Sequence, residues 1–144
     1  DKLEDIGIAI KVETVDPRLL REMRLNASTV LFRSSWIADY ADAENYLTVF
    51  YGGSEAPPNY TRFHNPQFDS LYTIAVAESD ETLRKTLYYQ MDSILMQQAP
   101  VVPLFYDEVY RFVQNNITGL RPNALNMLEL KRVRKGWGGM FVNA

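Results

Sequence analysis

Apolar residues occupy every second position in the stretch IGIAIKVE. Ile6, Ile8, Ile10 and Val12 share one face, opposite Gly7, Ala9, Lys11 and Glu13. Period two predicts a β-strand over 6–13 with one buried face, so the chain must supply a layer to cover it. The next stretch, VDPRLLREMRLNA, changes period. Asp16 is a suitable N-cap, Pro17 fits a first helical turn, and Leu19, Leu20 and Met23 form a short apolar stripe. A β-branched and aromatic run, STVLFRSSW at 28–36, predicts a second strand. Strand, helix and strand in so short a span predict a right-handed parallel βαβ unit.

The rest of the chain continues the mixture. DAENYLTVF at 42–50 predicts a helix capped by Asp42, with Tyr46, Leu47 and Phe50 facing inward. A long loop follows at 51–66, broken by Gly52-Gly53 and Pro57-Pro58, and loops of this length in compact domains are often functional. Asn65-Pro66 starts a helix whose buried face is Phe68, Leu71, Ile74 and Ala75. Ser79 or Asp80 caps the most strongly patterned element, about 80–98, in which Leu83, Leu87, Met91, Ile94 and Leu95 recur at helical spacing before Pro100. The stretch 101–114 predicts a strand that Pro103 confines to an edge or a bulge, and 127–133 predicts one more alternating strand. No internal repeat or linker divides the chain. The expectation is one mixed α/β domain over 1–144, with flanking helices on a mixed sheet and a tail at 134–144.

Composition removes several function classes. A net charge of −3 lacks the concentrated basic face that nucleic acid requires; the basic cluster Lys131, Arg132, Arg134 and Lys135 reads as a solvated strand or tail. The absence of cysteine removes disulfides, thiolate metal sites and cysteine nucleophiles. No apolar run approaches the roughly 20 residues of a membrane span. The chain begins at Asp1 and reads as an excised piece, so its start is silent on export.

The chemistry-bearing residues are sparse. His64 is the single histidine and no Gly-x-Ser-x-Gly is present, so a nucleophilic triad is poorly supported. One histidine without cysteine leaves no convincing metal set, and neither Gly52-Gly53 nor Gly138-Gly139 leads into a phosphate-cradling helix. No cofactor is expected. Asn26, Asn59 and Asn116 stand in Asn-x-Ser/Thr sequons that read as chance. The stretch RSSWIADYADAENYL at 33–47 is different. It gathers Asp39, Asp42 and Glu44 around Trp36 and Tyr40, just past the carboxyl end of the second predicted strand, where open α/β sheets bind ligands. Asp42 reads as an N-cap. Asp39 remains open between a solvated acid and a binding group, and a carboxylate pair for glycoside hydrolysis is a weaker idea.

WIADYADAENYL resembles a segment of the large extracytoplasmic solute-binding proteins of bacterial ABC importers, the oligopeptide, dipeptide and nickel class known as family 5. That family shows a Trp-x-x-Asp-Tyr-x-Asp-Pro-x-x-Phe-Leu pattern; here Ala43 replaces the proline and Tyr46 the phenylalanine. Further along, NPQFDSL, an Arg-x-x-x-Tyr helix, PVVPLF and ITGL follow in the family's order, so the resemblance covers roughly 6–133. The tail GWGGMFVNA has no counterpart in it.

The resemblance implies a periplasmic-binding-protein-like (type II) fold of two lobes, of which this chain is the carboxy-terminal portion of one. It implies a non-enzymatic protein outside the cytoplasm, anchored by parts beyond this chain as in a lipoprotein, that delivers solute to an ABC permease. In peptide-binding members the aspartate pairs with the ligand's α-ammonium, which points to Asp39. The tryptophan matches Trp36 as the wall of a side-chain pocket, and an arginine facing the peptide carboxylate matches Arg33. Tyr40 completes the expected set. Other cargo on this scaffold (nickel chelate, sugar, haem or opine), delivery to a sensor, and a hydrolase remain as alternatives.

Overall fold

The structure is a computed structural model and describes residues 3–123 and 125–136. Four helices and two very short strands are formed. Helix α1, Pro17–Leu25, starts as expected: the Asp16 carboxylate accepts the Arg18 N–H at 2.8 Å, and Pro17 sits at the first position. Helix α2, Glu44–Leu47, is one turn that tightens into a 3-10 turn at Thr48–Phe50. Helix α3, Pro66–Ala77, is capped by Asn65, whose side-chain oxygen accepts from the Phe68 N–H at 3.0 Å. Helix α4, Glu81–Gln98, is capped by Asp80, which accepts from Thr82 and Leu83. Its end at Ala99, with a left-handed φ of 46°, satisfies a last-turn carbonyl before Pro100 stops the helix.

The core lies between α3 and α4. Phe68 and Ala75, seven residues apart, are fully buried on α3, and Leu87, Met91 and Leu95, four apart, face them from α4. Leu47 of α2 and Phe63 of the long loop close the cluster. Phe63 packs edge-on against both Phe50 and Phe68, with ring centroids 6.3 and 5.5 Å away. Ile74 and Leu83, expected on the buried faces, are exposed, because the contact between two helices is narrower than their apolar stripes. Tyr46 is also turned outward. The one-turn α2 presents Asn45 and Leu47 to the interior instead.

The long loop is ordered by one side chain. Asn59, 3% exposed, donates to the carbonyls of Tyr51 (3.2 Å) and Phe63 (2.9 Å) and accepts from the Phe63 N–H and the Thr61 hydroxyl. The sequon at Asn59 is therefore closed to any modifying enzyme in the folded chain. Asp69 on α3 pins the loop's start: it accepts the Gly52 N–H at 2.8 Å and lies 3.1 Å from His64 Nδ1. A Cβ at position 52 would sit 2.6 Å from Asp69 and closer still to His64, so any larger residue there displaces these two side chains.

The expected strands behave differently. The stretches 6–13, 28–36, 101–114 and 127–133 form no ladder among the described residues; the first overlaps a 3-10 turn at Glu4–Ile6. Ile6, Ile8, Ile10 and Val12 are exposed, as are Val102, Leu104, Phe105 and Phe112. The predicted βαβ unit is not formed among the described residues: α1 lies between two segments that pair with nothing. Alternation marks a segment able to bury one face, but a ladder also needs a neighbour's backbone, and the described residues offer none. The sheet that does form pairs β1, Ile117–Thr118, with β2, Arg134–Lys135, antiparallel, with Ile117 opposite Lys135. The architecture is a mixture of helix with a small antiparallel sheet. The expected tail thus begins in a strand at 134–135, while 137–144, including Gly138-Gly139, lie outside the described residues.

Candidate functional site

The acids of the segment 33–47 divide into two kinds. Asp42 and Glu44 are taken up by the fold. Asp42 Oδ1 accepts the Glu44 N–H at 2.9 Å and the Tyr88 hydroxyl at 3.0 Å, and Oδ2 lies 3.3 Å from Arg84 on α4. The Glu44 peptide N–H, then Tyr88 and Arg84, hold the Asp42 carboxyl below its ordinary range despite partial burial. Glu44 accepts from the hydroxyls of Tyr40 and Tyr72, and Tyr72 Oη also lies 2.8 Å from Thr48 Oγ1. Burial first and Glu44 second raise the Tyr72 hydroxyl well above the usual tyrosine range. These contacts fasten α2 to α3 and α4 and hold the preceding turn in place.

Asp39 is the other kind. It is exposed on that turn, and among the described residues its carboxylate has no hydrogen-bond or ion-pair partner. Its peptide N–H, by contrast, is held 3.1 Å from the side-chain oxygen of Asn45. The same oxygen accepts the Trp36 indole N–H at 2.9 Å. Asn45 is buried, 3% exposed. Two of the four expected site residues, Trp36 and Asp39, therefore meet at one asparagine. Nothing in the sequence singles it out: it is one polar residue among several in a one-turn helix, and its partners stand six and nine positions earlier.

Trp36, 38% exposed, lines a cavity of about 170 Å³ with Arg24, Phe32, Phe50 and Tyr60. The Arg24 guanidinium stacks over the rings of Tyr60 and Phe32, 3.9 and 5.2 Å from their centroids. Arg62, from the long loop, donates to the carbonyls of Arg24 and Leu25 at 3.2 and 2.7 Å, so the loop caps the end of α1. Arg33, the fourth expected residue, takes a separate partner: its guanidinium lies over the Phe105 ring at 5.7 Å. The aromatic lining with one cation was not anticipated from the sequence, since Arg24 and Tyr60 come from different elements. A larger cavity of about 370 Å³ lies beside the long loop, between Glu55, Asn59, Arg62 and His64. No group of three potential metal ligands occurs among the described residues, and no helix among them is long and apolar enough to cross a membrane.

No protein-family model matches the chain. Individual proteins do. The probable deoxycholate-binding periplasmic protein YgiS of Escherichia coli is 30% identical over 79% of this chain and 21% of its own length. The dipeptide-binding protein DppE of Bacillus subtilis is 25% identical over 88% of this chain and 23% of its own. Among solved structures, the open, unliganded periplasmic murein tripeptide-binding protein MppA matches with a TM-score of 0.64 and 26% identity, covering 68% of this chain and 19% of that one. The chain spans about a fifth of the length of the curated relatives it matches.

Proposed function

We propose that this chain, which is homologous over most of its length to part of the family 5 solute-binding proteins of bacterial ABC importers, forms one wall of a cleft that binds a small peptide outside the cytoplasm. It corresponds on this reading to the carboxy-terminal portion of one lobe. The opposing wall, the membrane anchor and the surface recognised by a permease belong to the remainder of such a protein. No reaction is assigned: the chain binds.

The observation that carries the reading is the contrast among the three acids. Asp42 and Glu44 are engaged by Arg84 and three tyrosines, whereas Asp39 presents an unpaired carboxylate on a turn whose backbone is fixed. A fixed carboxylate beside an aromatic wall suits an α-ammonium with a side chain attached to it. Charge-assisted hydrogen bonds are about twice as strong as neutral ones, so this end of the peptide sets its register. Enclosure by a second lobe removes water and strengthens the pair.

Calorimetry with tri- and tetrapeptides on the complete binding protein tests this. Asp39→Asn is expected to weaken binding, and N-acetylated peptides to bind far less well than free ones. Equal affinity in either comparison removes the amine-anchor role. The chain alone, with one wall of the cleft, is expected to bind the same peptides weakly.

A second reading has its own support. The cavity beside Trp36 is aromatic and contains the Arg24 cation, which suits an apolar anion. The relative YgiS carries deoxycholate in its name. Deoxycholate has no ammonium to meet Asp39, so tight binding of deoxycholate that is indifferent to Asp39→Asn favours this reading over the peptide.

A further inference from the structure

We infer that Asn45 is a positioning residue for the binding wall: through one buried amide it fixes the Trp36 ring and the Asp39 turn in a single arrangement. The inference rests on the reading of Asp39 as an amine anchor. Its geometry is independent of that reading.

An amide oxygen has two lone pairs, and here both are used, one by the Trp36 indole N–H and one by the Asp39 peptide N–H. The two donors are thereby held at the same atom, which closes residues 36–45 into a loop of fixed shape. Removing the acceptor takes the shared partner from the indole and the peptide N–H and leaves both free to turn away from one another. No other residue type supplies two acceptor directions and a donor at this length without a charge. Because Asn45 is covered and Asp39 is exposed, the asparagine acts on the ligand only through the residues it holds.

The test uses the complete binding protein, with trialanine and N-acetyl-trialanine as probes. Calorimetry reads affinity, and NMR reads hydrogen exchange of the Trp36 indole N–H, assigned against Trp36→Phe. Asn45→Ala is expected to weaken trialanine binding roughly ten- to hundredfold and to speed indole exchange by a similar factor. It is also expected to erase most of the preference for the free amine. Asn45→Asp keeps the acceptor oxygens and is expected to keep the indole protected and to retain more affinity than Asn45→Ala.

A folded Asn45→Ala protein that binds trialanine as the parent does, while Asp39→Asn loses it, overturns the role of Asn45. If Asp39→Asn also binds like the parent, the amine-anchor reading is what has failed, and Asn45 is judged on indole exchange: unchanged exchange overturns its role, faster exchange upholds it. If Asn45→Ala does not fold, Asn45→Asp decides. A folded Asn45→Asp protein with a rapidly exchanging indole overturns the inference, and a protected indole upholds it.

Discussion

Residues 42–98 and the extended arms on either side of them are built on opposite plans. The helical part closes on itself: caps at Asn65 and Asp80 satisfy its helix starts, Asn59 satisfies its loop, and Phe68, Met91 and Leu95 fill its interior. The arms carry comparable apolar residues but leave them in solvent, with Val12, Tyr106 and Phe112 almost fully accessible. A helix satisfies its backbone within one segment, whereas a strand borrows its partners from elsewhere. The same chain thus holds one part that is complete and one part whose faces await cover. The sharpest way to break this contrast is to truncate one phenylalanine from each. Phe68→Ala, in the fully buried site, is expected to destabilise by about 3–5 kcal/mol, and Phe112→Ala, 99% exposed, by less than about 0.5 kcal/mol. Denaturant midpoints at fixed slope measure both. Similar losses at the two sites would mean that the arms bury their apolar faces in solution.

Within the complete part, polar burial matters next. Asn59 serves four hydrogen bonds from a nearly inaccessible position, and its removal strands the Phe63 carbonyl, while the Phe63 N–H keeps only the longer bond to the Thr61 hydroxyl at 3.3 Å. Asn59→Ala is expected to cost about 1–3 kcal/mol, with faster amide exchange confined to the long loop. The side chain of Asn116, just before β1, makes one exposed contact, to the Gly136 carbonyl, and its alanine variant is expected to be nearly silent. A silent Asn59→Ala would show that water already reaches the loop interior.

The two plans also explain what the sequence disclosed. Helix α4 was legible because its cap, its spacing of apolar residues and Pro100 are all local signals, and α1 and α3 carry the same punctuation at Asp16-Pro17 and Asn65-Pro66. The strands were legible only as segments fit for a sheet. Their pairing depends on partners that alternation does not specify, and the strands that do pair, at Ile117–Thr118 and Arg134–Lys135, are too short to carry a period. At the site, the expected cap at Asp42 is displaced by one residue: Ala43 precedes α2 without a side-chain cap, and Asp42 holds the Glu44 N–H from one position further back. The bond of Glu44 to Tyr72 requires α2 to pack on α3, a tertiary fact. Asn45 was invisible for the same reason: its partners approach only once the turn has formed.

The smallest expected difference between the two regions is their response to alkali. Burial and the bond to Asp42 raise the Tyr88 hydroxyl from its ordinary 10.0 to about 12. A group whose folded value is raised stabilises fully below its unfolded value, and that contribution is lost as pH climbs through the folded one, here between 10.0 and about 12. Asp42 behaves in the mirror sense: its value is lowered below 3.8, so its contribution is present above that pH and fades as pH falls further. Tyr88 is largely within reach of solvent, which screens the interaction, so its share is expected to be below about 1 kcal/mol. Tyr88→Phe should therefore flatten, without abolishing, the fall of melting temperature above pH 10, since Tyr72 titrates in the same direction. Tyr110, on an arm, is raised by its bond to Glu108, yet it is exposed and the contact joins near neighbours, so Tyr110→Phe should leave the alkaline limb unchanged. Thermal scans across pH 8–12 compare the two. An alkaline limb that Tyr88→Phe leaves as steep as the parent's would mean that the Asp42–Tyr88 contact does not fasten α2 to α4 in solution.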